Sequence, residues 1–451
     1  MLTSAELSLE QAPPISIPLR FFLTAPLFGL TAALVALLYG PELLASRWSP
    51  SVLAFSHLLT LGFFTMVMCG AMLQMLPVVA ASPVPQVVAA GTAVHLSLIL
   101  GTGSLVTAFF SLMASWMKLA LIFLGSGIFV FLLAVGVALW RVRHPSPTVT
   151  GMKLALVSLT VTTILGLLLG SGLLGIGGWV RMPNLVDGHL GWGLMGWVGL
   201  LLLAVSYQVV PMFQVTPEYP VWIRKGMIWW LWGGLFLWSL LLLGADARYW
   251  SPLVPAFGVI PVAAGFLLFA AVTLGLLQRR RRRLSDATLM FWRLAMISLL
   301  GCPLLWVAGQ LFPSIAQSFH YPFLLGLLLL LGGAGAVING MLYKIVPFLC
   351  WFHLQNRQLA LRCLSVPIPN MKEFIPDRLA KGQFVLYLLA LLLAVCAIFL
   401  PQWFARAFGL LFALSNVLLW LNLFGAILRY RATNRLLIAK IQRVSGSQPG
   451  V

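Results

Sequence analysis

Histidine is the residue type in this chain best suited to chemistry, because its imidazole is the commonest metal ligand in proteins. Three of the six histidines, His57, His189 and His320, open or precede long apolar segments. Polar groups at membrane depth are costly, so those found there are candidates for function. We therefore interpret these three residues as candidate ligands of a metal centre.

The elements that must position these histidines are predicted to be membrane-spanning helices. Of the 451 residues, 61% are hydrophobic and 8% are charged, and the mean hydropathy is +1.02. A spanning helix needs about 20 apolar residues, and runs of that length recur along the chain, whereas the ten-residue alternation of a membrane barrel is absent. We predict an all-α polytopic membrane protein with about twelve helices, at 20–40, 53–80, 87–112, 116–140, 153–177, 188–212, 227–245, 253–278, 290–311, 322–348, 383–400 and 404–428.

A related sequence closes the second, sixth and tenth predicted helices: "LQMLPVV", "YQVVPMF" and "YKIVPFL". The second position of this motif holds Gln74, Gln208 and Lys344, and the intervals of 134 and 136 residues are nearly constant. Internal repeats in membrane proteins commonly build a site where equivalent helices converge. The sequence predicts a single membrane domain at 16–430, made of three four-helix units at about 16–150, 151–285 and 286–430.

The depth of each histidine follows from its distance to the shared proline. His57 lies 20 residues before its proline, His189 lies 22 before and His320 lies 27 before. At about 1.5 Å per residue, the first two differ in depth by about 3 Å, and His320 lies about 10 Å farther out. We expect His57 and His189 to form the centre, and the extra distance favours a loop position for His320.

The basic residues indicate orientation. The formal net charge is +19, and twenty-three of the 28 Lys and Arg residues fall on one predicted side, including "RRRRR" at 279–283. By the positive-inside rule that side is cytoplasmic, which places the tail 1–15, the connection 349–382 and the basic tail 431–451 inside. The expected location is a bacterial-type inner membrane, and the partner of the basic residues is the lipid bilayer rather than nucleic acid.

The remaining polar residues point away from proton pumping and from zinc or disulfide sites. All nine acidic residues fall in tails or connections, whereas proton pathways are usually built on buried carboxylates. Asp187 is suited to orient the imidazole two residues later by accepting a hydrogen bond. His95 fits a packing role, and His144 and His353 lie in basic connections. The five cysteines show no paired spacing.

The stretches "SHLLTLGFFTMVMCGAMLQMLPVV" and "GHLGWGLMGWVGLLLLAVSYQVVPMFQVTPEYP", within twelve helices in three arcs, resemble subunit I of the heme-copper oxidases, as an uncharacterised branch. The plan is also similar to the NnrS-type heme and copper membrane proteins linked to nitric-oxide stress. In the oxidases, helices two, six and ten supply heme and copper ligands. The resemblance implies that His57, His189 and His320 bind a heme, that His57 and His189 hold its metal, and that a cytochrome-type electron donor or a partner subunit takes part.

The chain departs from that family in its ligands. The tenth helix lacks a His-x-His and the seventh lacks a His-His, so copper is a candidate cofactor with an incomplete ligand set and oxygen reduction is not expected. The function predicted is electron transfer or a response to nitric oxide or another small gas. A polytopic transporter is the alternative, because uncharged polar groups and repeats also occur in carriers. A degenerate oxidase-like scaffold without a cofactor is the third reading.

Overall fold

The computed structural model describes residues 13–176, 183–244, 253–282, 284–361, 363 and 365–446, which form helices and no strand. Twelve of these helices are long and apolar enough to span a membrane, which confirms the predicted all-α polytopic class. We number them α1 to α12: Ser16–Tyr39, 50–80, Val87–Ser111, Ala114–Trp140, Pro147–Leu173, 183–214, Val221–Gly244, Leu253–Gln278, Ala287–Leu311, 321–360, Asp377–Phe399 and Pro401–Gly446.

Local sequence fixes where several of these helices begin and end. Ser49 and Ser146 each accept a hydrogen bond of 3.3 Å from the backbone N–H three residues on, and a proline follows each serine. A serine cap with proline at the first helical position satisfies one unpaired N–H and presets the helical φ. At the other end, α2 and α6 stop at residues in the left-handed conformation, Ala81 and Val215.

The helices form a ring around three central members. Contacts join α3 to α4, α4 to α5, α7 to α8, α8 to α9, and α11 to α12, and α12 also contacts α1. The central helices are α2, α6 and α10, and the middle of α10 contacts the middle of both α2 and α6. In their most apolar windows, 61% of α2 and of α6 is buried, against 28–50% in the other ten helices, so these two have the least lipid contact.

The packing of α10 changes abruptly along its length. All ten residues at 321–330 are half-buried, whereas every residue at 331–343 except Ala334 is buried. Ten consecutive residues of a helix point in every direction around its axis. No face of α10 is therefore fully buried over residues 321–330. The bundle is therefore loosely packed around the first half of α10, on the side where α2 and α6 also begin.

The ends of α10 and α12 differ from the sequence prediction. We predicted a connection at 349–382, but α10 continues through Pro347 to Ala360, and only 361–376 separate it from α11. The helix continues because Leu349, Cys350 and Leu354 remain buried against the core. Likewise the predicted tail 431–451 is helical to Gly446, with Leu437 buried. Most of the predicted tail 1–15 and the last five residues lie outside the described ranges.

Candidate functional site

The structure brings together two of the three histidines predicted as ligands. The ring centroids of His57, on α2, and His189, on α6, lie 6.3 Å apart, and their ring planes are nearly parallel, at 19°. About two turns farther along, the indole Nε1–H of Trp197 on α6 donates a 3.0 Å hydrogen bond to Thr65 on α2. The two helices therefore lie side by side from the histidines to this hydrogen bond.

Backbone carbonyls fix the protonation of both rings. Nδ1 of His57 lies 2.7 Å from the carbonyl oxygen of Leu53, and Nδ1 of His189 lies 3.0 Å from that of Thr162 on α5. A carbonyl only accepts, so Nδ1 carries the proton and Nε2 of each neutral ring keeps its lone pair. No hydrogen bond within the described part of the chain engages either Nε2. Histidines that bind a metal commonly donate the N–H of their other ring nitrogen in this way.

The surroundings of the pair are apolar and uncharged. The ring of Phe109 on α3 lies 5.5 Å from that of His57, and Gly166 on α5 lies against His189, where a Cβ would come within 2.9 Å of the ring. Among the described residues there is no group of three or more His, Cys, Asp or Glu side chains suited to a metal ion. The site therefore offers two nitrogen ligands and no protein charge.

The separation of the rings suits a metal ion held between them. Two opposed metal–nitrogen bonds of about 2.0–2.1 Å would place the centroids of two imidazoles about 6–6.5 Å apart. The observed 6.3 Å falls in that range.

Each central helix changes to π geometry at the same register. The π segments are Leu58–Thr65, Trp192–Gly199 and Leu328–Gly335, and each begins 19 residues before the shared proline of its helix. The π-helix is rare, and where it occurs it is frequently at a functional site. The first one starts directly after His57, and the second starts three residues after His189. The constant register supports the threefold repeat, and it places the histidines at the entrance of these segments.

The fifth residue of each π segment is a glycine that contacts the first helix of its own unit. A Cβ at Gly62 would overlap Phe28 on α1, one at Gly196 would lie 2.7 Å from Ser158 on α5, and Gly332 meets Ser298 on α9 in the same way. Such short distances exclude a side chain without movement of the neighbour. These glycines were visible in the sequence, and the shared distance of 15 residues to the proline was the pattern that would have singled them out.

The third predicted ligand, His320, lies elsewhere. Its ring stacks on Phe399 at the end of α11, with centroids 4.9 Å apart, and its Nδ1 lies 3.1 Å from the hydroxyl of Ser318. At the positions of α10 equivalent to His57 and His189 stand Leu327 and Leu325. No contact in the described structure joins His320 to the other two histidines, and its role as a ligand remains a prediction.

The structure gives the other polar residues specific neighbours. Asp187 was expected to accept a hydrogen bond from His189, but the backbone carbonyl of Thr162 lies against Nδ1 of His189 in its place. Asp187 interacts electrostatically with Arg47, in the connection before α2. His95 hydrogen-bonds Thr24 on α1 at 2.9 Å, which agrees with the packing role expected of it. His353 lies inside the extended α10, with Nδ1 3.0 Å from the carbonyl oxygen of its own helix at position 349.

The three equivalent positions Gln74, Gln208 and Lys344 have different surroundings. Lys344 pairs with Asp286 at 2.8 Å, and Asp286 also caps α9 by accepting a 3.0 Å hydrogen bond from the N–H of Leu289. Burial raises the pKa of Asp286, but the charge of Lys344, the capping hydrogen bond and Arg282 outweigh it and hold the pKa below its usual value. Gln74 is buried with an unpartnered Oε1, and Gln208 is half-buried.

A buried polar cluster between α10, α11 and α12 was not predicted. The side-chain amide of Gln383, on α11, donates to Asn339 at 3.1 Å and to Ser415 at 2.9 Å. Tyr387 donates at 2.7 Å to the carbonyl of Leu331, inside the third π segment. The sequence pattern that would have indicated it is one amide or hydroxyl in each of three otherwise apolar helices.

No protein-family model matches this chain, and a search of curated proteins finds no match. The resemblance to heme-copper oxidase subunit I stays a prediction from the sequence.

Proposed function

We propose that this chain is a heme-binding membrane protein that transfers electrons, and that His57 and His189 would hold the iron of one heme. The observation that carries the proposal is the pair of neutral imidazoles 6.3 Å apart on α2 and α6, each with Nδ1 held by a backbone carbonyl. That geometry leaves one ring nitrogen on each side for the metal. The oxidase-like arrangement predicted from sequence belongs to the same proposal.

The chain's contribution to this chemistry is to fix and shield the ligands. A heme with two axial histidines supplies one-electron redox chemistry, and its potential is tuned by ligands, hydrogen bonds and burial. The carbonyls of Leu53 and Thr162 set the tautomers and raise the basicity of the ligands. Both histidines are themselves half-buried. Arg47, at the same end of the bundle, is suited to pair with a carboxylate of a bound heme.

The ligand set favours one iron rather than a two-metal centre. The third central helix carries leucines, Leu325 and Leu327, where ligands would have to stand. The described residues offer no group of three or more metal-ligating side chains, and a heme held by His57 and His189 would supply one-electron transfer. A response to nitric oxide is the second function proposed, because such a heme would also supply an iron able to bind the gas. The proposed location is a bacterial inner membrane, with a cytochrome-type protein as electron donor.

Purification from heme-replete cells tests the proposal. We expect the absorption bands of a six-coordinate heme in both oxidation states, and about one iron per chain. Copper without those bands would show that the pair holds a bare metal ion and would contradict the heme proposal. Neither iron nor copper in correctly folded protein would contradict the metal centre itself and would leave the transporter and the scaffold as the alternatives.

A further inference from the structure

An apolar cavity of about 50 Å³ lies between α6, α8, α9 and α10, apart from the histidine pair, and it is partly open to the surface of the bundle. Its deepest walls are Phe269, Trp292 and Met296, each almost completely buried. Gly333 and Ala334, in the π segment of α10, form the wall facing them. The cavity thus adjoins two of the three π segments.

A second, smaller cavity occupies the equivalent place one unit farther round the bundle, between α2, α10, α11 and α12. Its volume is about 10 Å³. Three lining positions of α2 match three of α10 by their distance from the shared proline. The matched pairs are Leu59 with Leu329, Phe63 with Gly333, and Phe64 with Ala334.

The difference in volume follows from two of these pairs. Where α2 carries two phenylalanines, α10 carries glycine and alanine, so the side chains that fill the smaller cavity are missing from the larger one. At the remaining interface, between α2 and α6, the residue equivalent to Phe63 and Gly333 is Trp197. Its indole N–H donates a hydrogen bond to Thr65, and its ring packs on Phe131 with centroids 6.1 Å apart. Of the two cavities, the one between the second and third units is therefore the larger.

The chemistry of the walls decides what the cavity takes. A water needs about 10–15 Å³ and two to four polar partners, and apolar cavities that lack such partners stay dry and bind xenon or small hydrocarbons. The walls here are almost entirely apolar, and the indole N–H of Trp292 is already directed to the sulfur of Met341, 3.3 Å away. An engineered cavity of about 150 Å³ accommodates benzene. The cavity between α6, α8, α9 and α10 has about one third of that volume, so it suits a molecule smaller than benzene.

We infer that this cavity is a binding site for one small apolar molecule of the size of xenon or a diatomic gas. The site does not depend on heme, because none of its walls is a proposed ligand. Binding in the cavity would persist in a protein that contains no heme, and it could be absent from a protein that contains heme. The inference and the proposed function therefore fail separately.

Xenon is the probe for the test, and saturable binding is followed by xenon NMR on the full chain in lipid nanodiscs. Ala334→Phe places in α10 the residue that α2 carries and fills the cavity. The side chain of Leu299 lies 3.6 Å from the position that a Cβ on Gly333 would occupy. Leu299→Ala removes this side chain and enlarges the cavity. Ala271→Phe is the matched control, because Ala271 is exposed on α8.

We expect saturable xenon binding in the wild type and in Ala271→Phe, about tenfold weaker binding or none in Ala334→Phe, and tighter binding in Leu299→Ala. If Ala334→Phe does not fold, the result for Leu299→Ala decides whether the cavity binds xenon. Xenon affinity that is unchanged when the cavity is enlarged would contradict the proposed site. Equal binding in the wild type and folded Ala334→Phe would also overturn it. Binding that appears only after lipid is stripped would show that an acyl chain occupies the cavity, and would overturn the inference of a gas-sized ligand.

Discussion

Single charged residues inside this bundle are stabilised by partners on other elements. Asp286 illustrates this, since its carboxylate bonds Lys344 on α10, Arg282 in the preceding connection and the first turn of α9 at once. Its side chain is 10% exposed and that of Lys344 is 16% exposed. Removing one member of such a pair leaves a nearly buried charge, which costs more than the loss of a surface pair.

Replacing Asp286 by asparagine separates its charge from its capping role, because asparagine caps a helix about as well as aspartate. At neutral pH we expect Asp286→Asn to lower the free energy of unfolding by up to about 3 kcal/mol. The pKa of Asp286 is lowered in the folded protein, so its contribution is complete above the ordinary value of about 4 and is lost as the pH falls through the lowered pKa.

Thermal unfolding in detergent, measured at a series of pH values from 7 to 3, checks this expectation. The difference in stability between the wild type and the variant should shrink toward the acidic end. Glu218→Gln is the control, because Glu218 pairs with Arg224 at the exposed surface. A constant difference between wild type and Asp286→Asn over the whole range would show that the charge is not responsible.

At the scale of helices, the sequence predicted the number of spans and their approximate limits, because apolar runs of about 20 residues are a strong pattern. It did not predict the ends of α10 and α12. Polar residues after Pro347 and after 430 indicated exposed connections, but helix-forming residues and buried positions such as Leu354 and Leu437 extend both helices. The π segments were also missed, since propensity and periodicity do not distinguish π from α geometry in a glycine-rich apolar run.

The glycines of the π segments give a prediction for these helices. Gly196→Ala should lower the free energy of unfolding by about 1–3 kcal/mol, because the new Cβ would lie 2.7 Å from Cβ of Ser158 and push α5 from α6. Thermal unfolding of the purified variant measures this. Gly226→Ala on α7 is the matched control, because no atom lies within 4 Å of its new Cβ. If both variants unfold at the wild-type temperature, close packing at Gly196 is not a constraint.

At the scale of the whole molecule, exposed apolar side chains on the twelve long helices require contact with lipid. Large residues such as Leu133 and Leu389, in the middle of α4 and α11, are largely exposed. The sequence also predicted that α2, α6 and α10 belong together, and the shared register of the π segments agrees with that grouping. The meeting of His57 and His189 was expected only from their similar depth, because one sequence gives no distance between helices. The hydrogen bond between Nδ1 of His189 and the carbonyl of Thr162 depends on how α5 packs against α6, and the spacing of residues in the sequence does not reveal that packing.

The orientation in the membrane is a separate prediction of the basic residues. We expect the connection between α10 and α11 to face the cytoplasm, as the excess of Lys and Arg there indicates. Cys363 lies in that connection and is the cysteine to keep in a variant that lacks the other four. A thiol reagent that does not cross membranes should leave it unlabelled in intact cells and label it in inverted vesicles.

Ala45→Cys, in the exposed connection before α2, provides the opposite case in a variant that lacks all five native cysteines. It should be labelled in intact cells. The reverse pattern for the two positions would invert the orientation, and labelling of both in intact cells would contradict the twelve-helix topology.

The central claim is that His57 and His189 bind one iron between them, and ligand substitution tests it most directly. We predict that His57→Ala and His189→Ala each convert the six-coordinate heme spectrum of the purified protein to a five-coordinate one or abolish it. His95→Ala, which removes a histidine bonded to Thr24, should leave the spectrum unchanged. Retention of the six-coordinate spectrum in either ligand variant, or loss of heme from the folded His95→Ala control, would contradict the account.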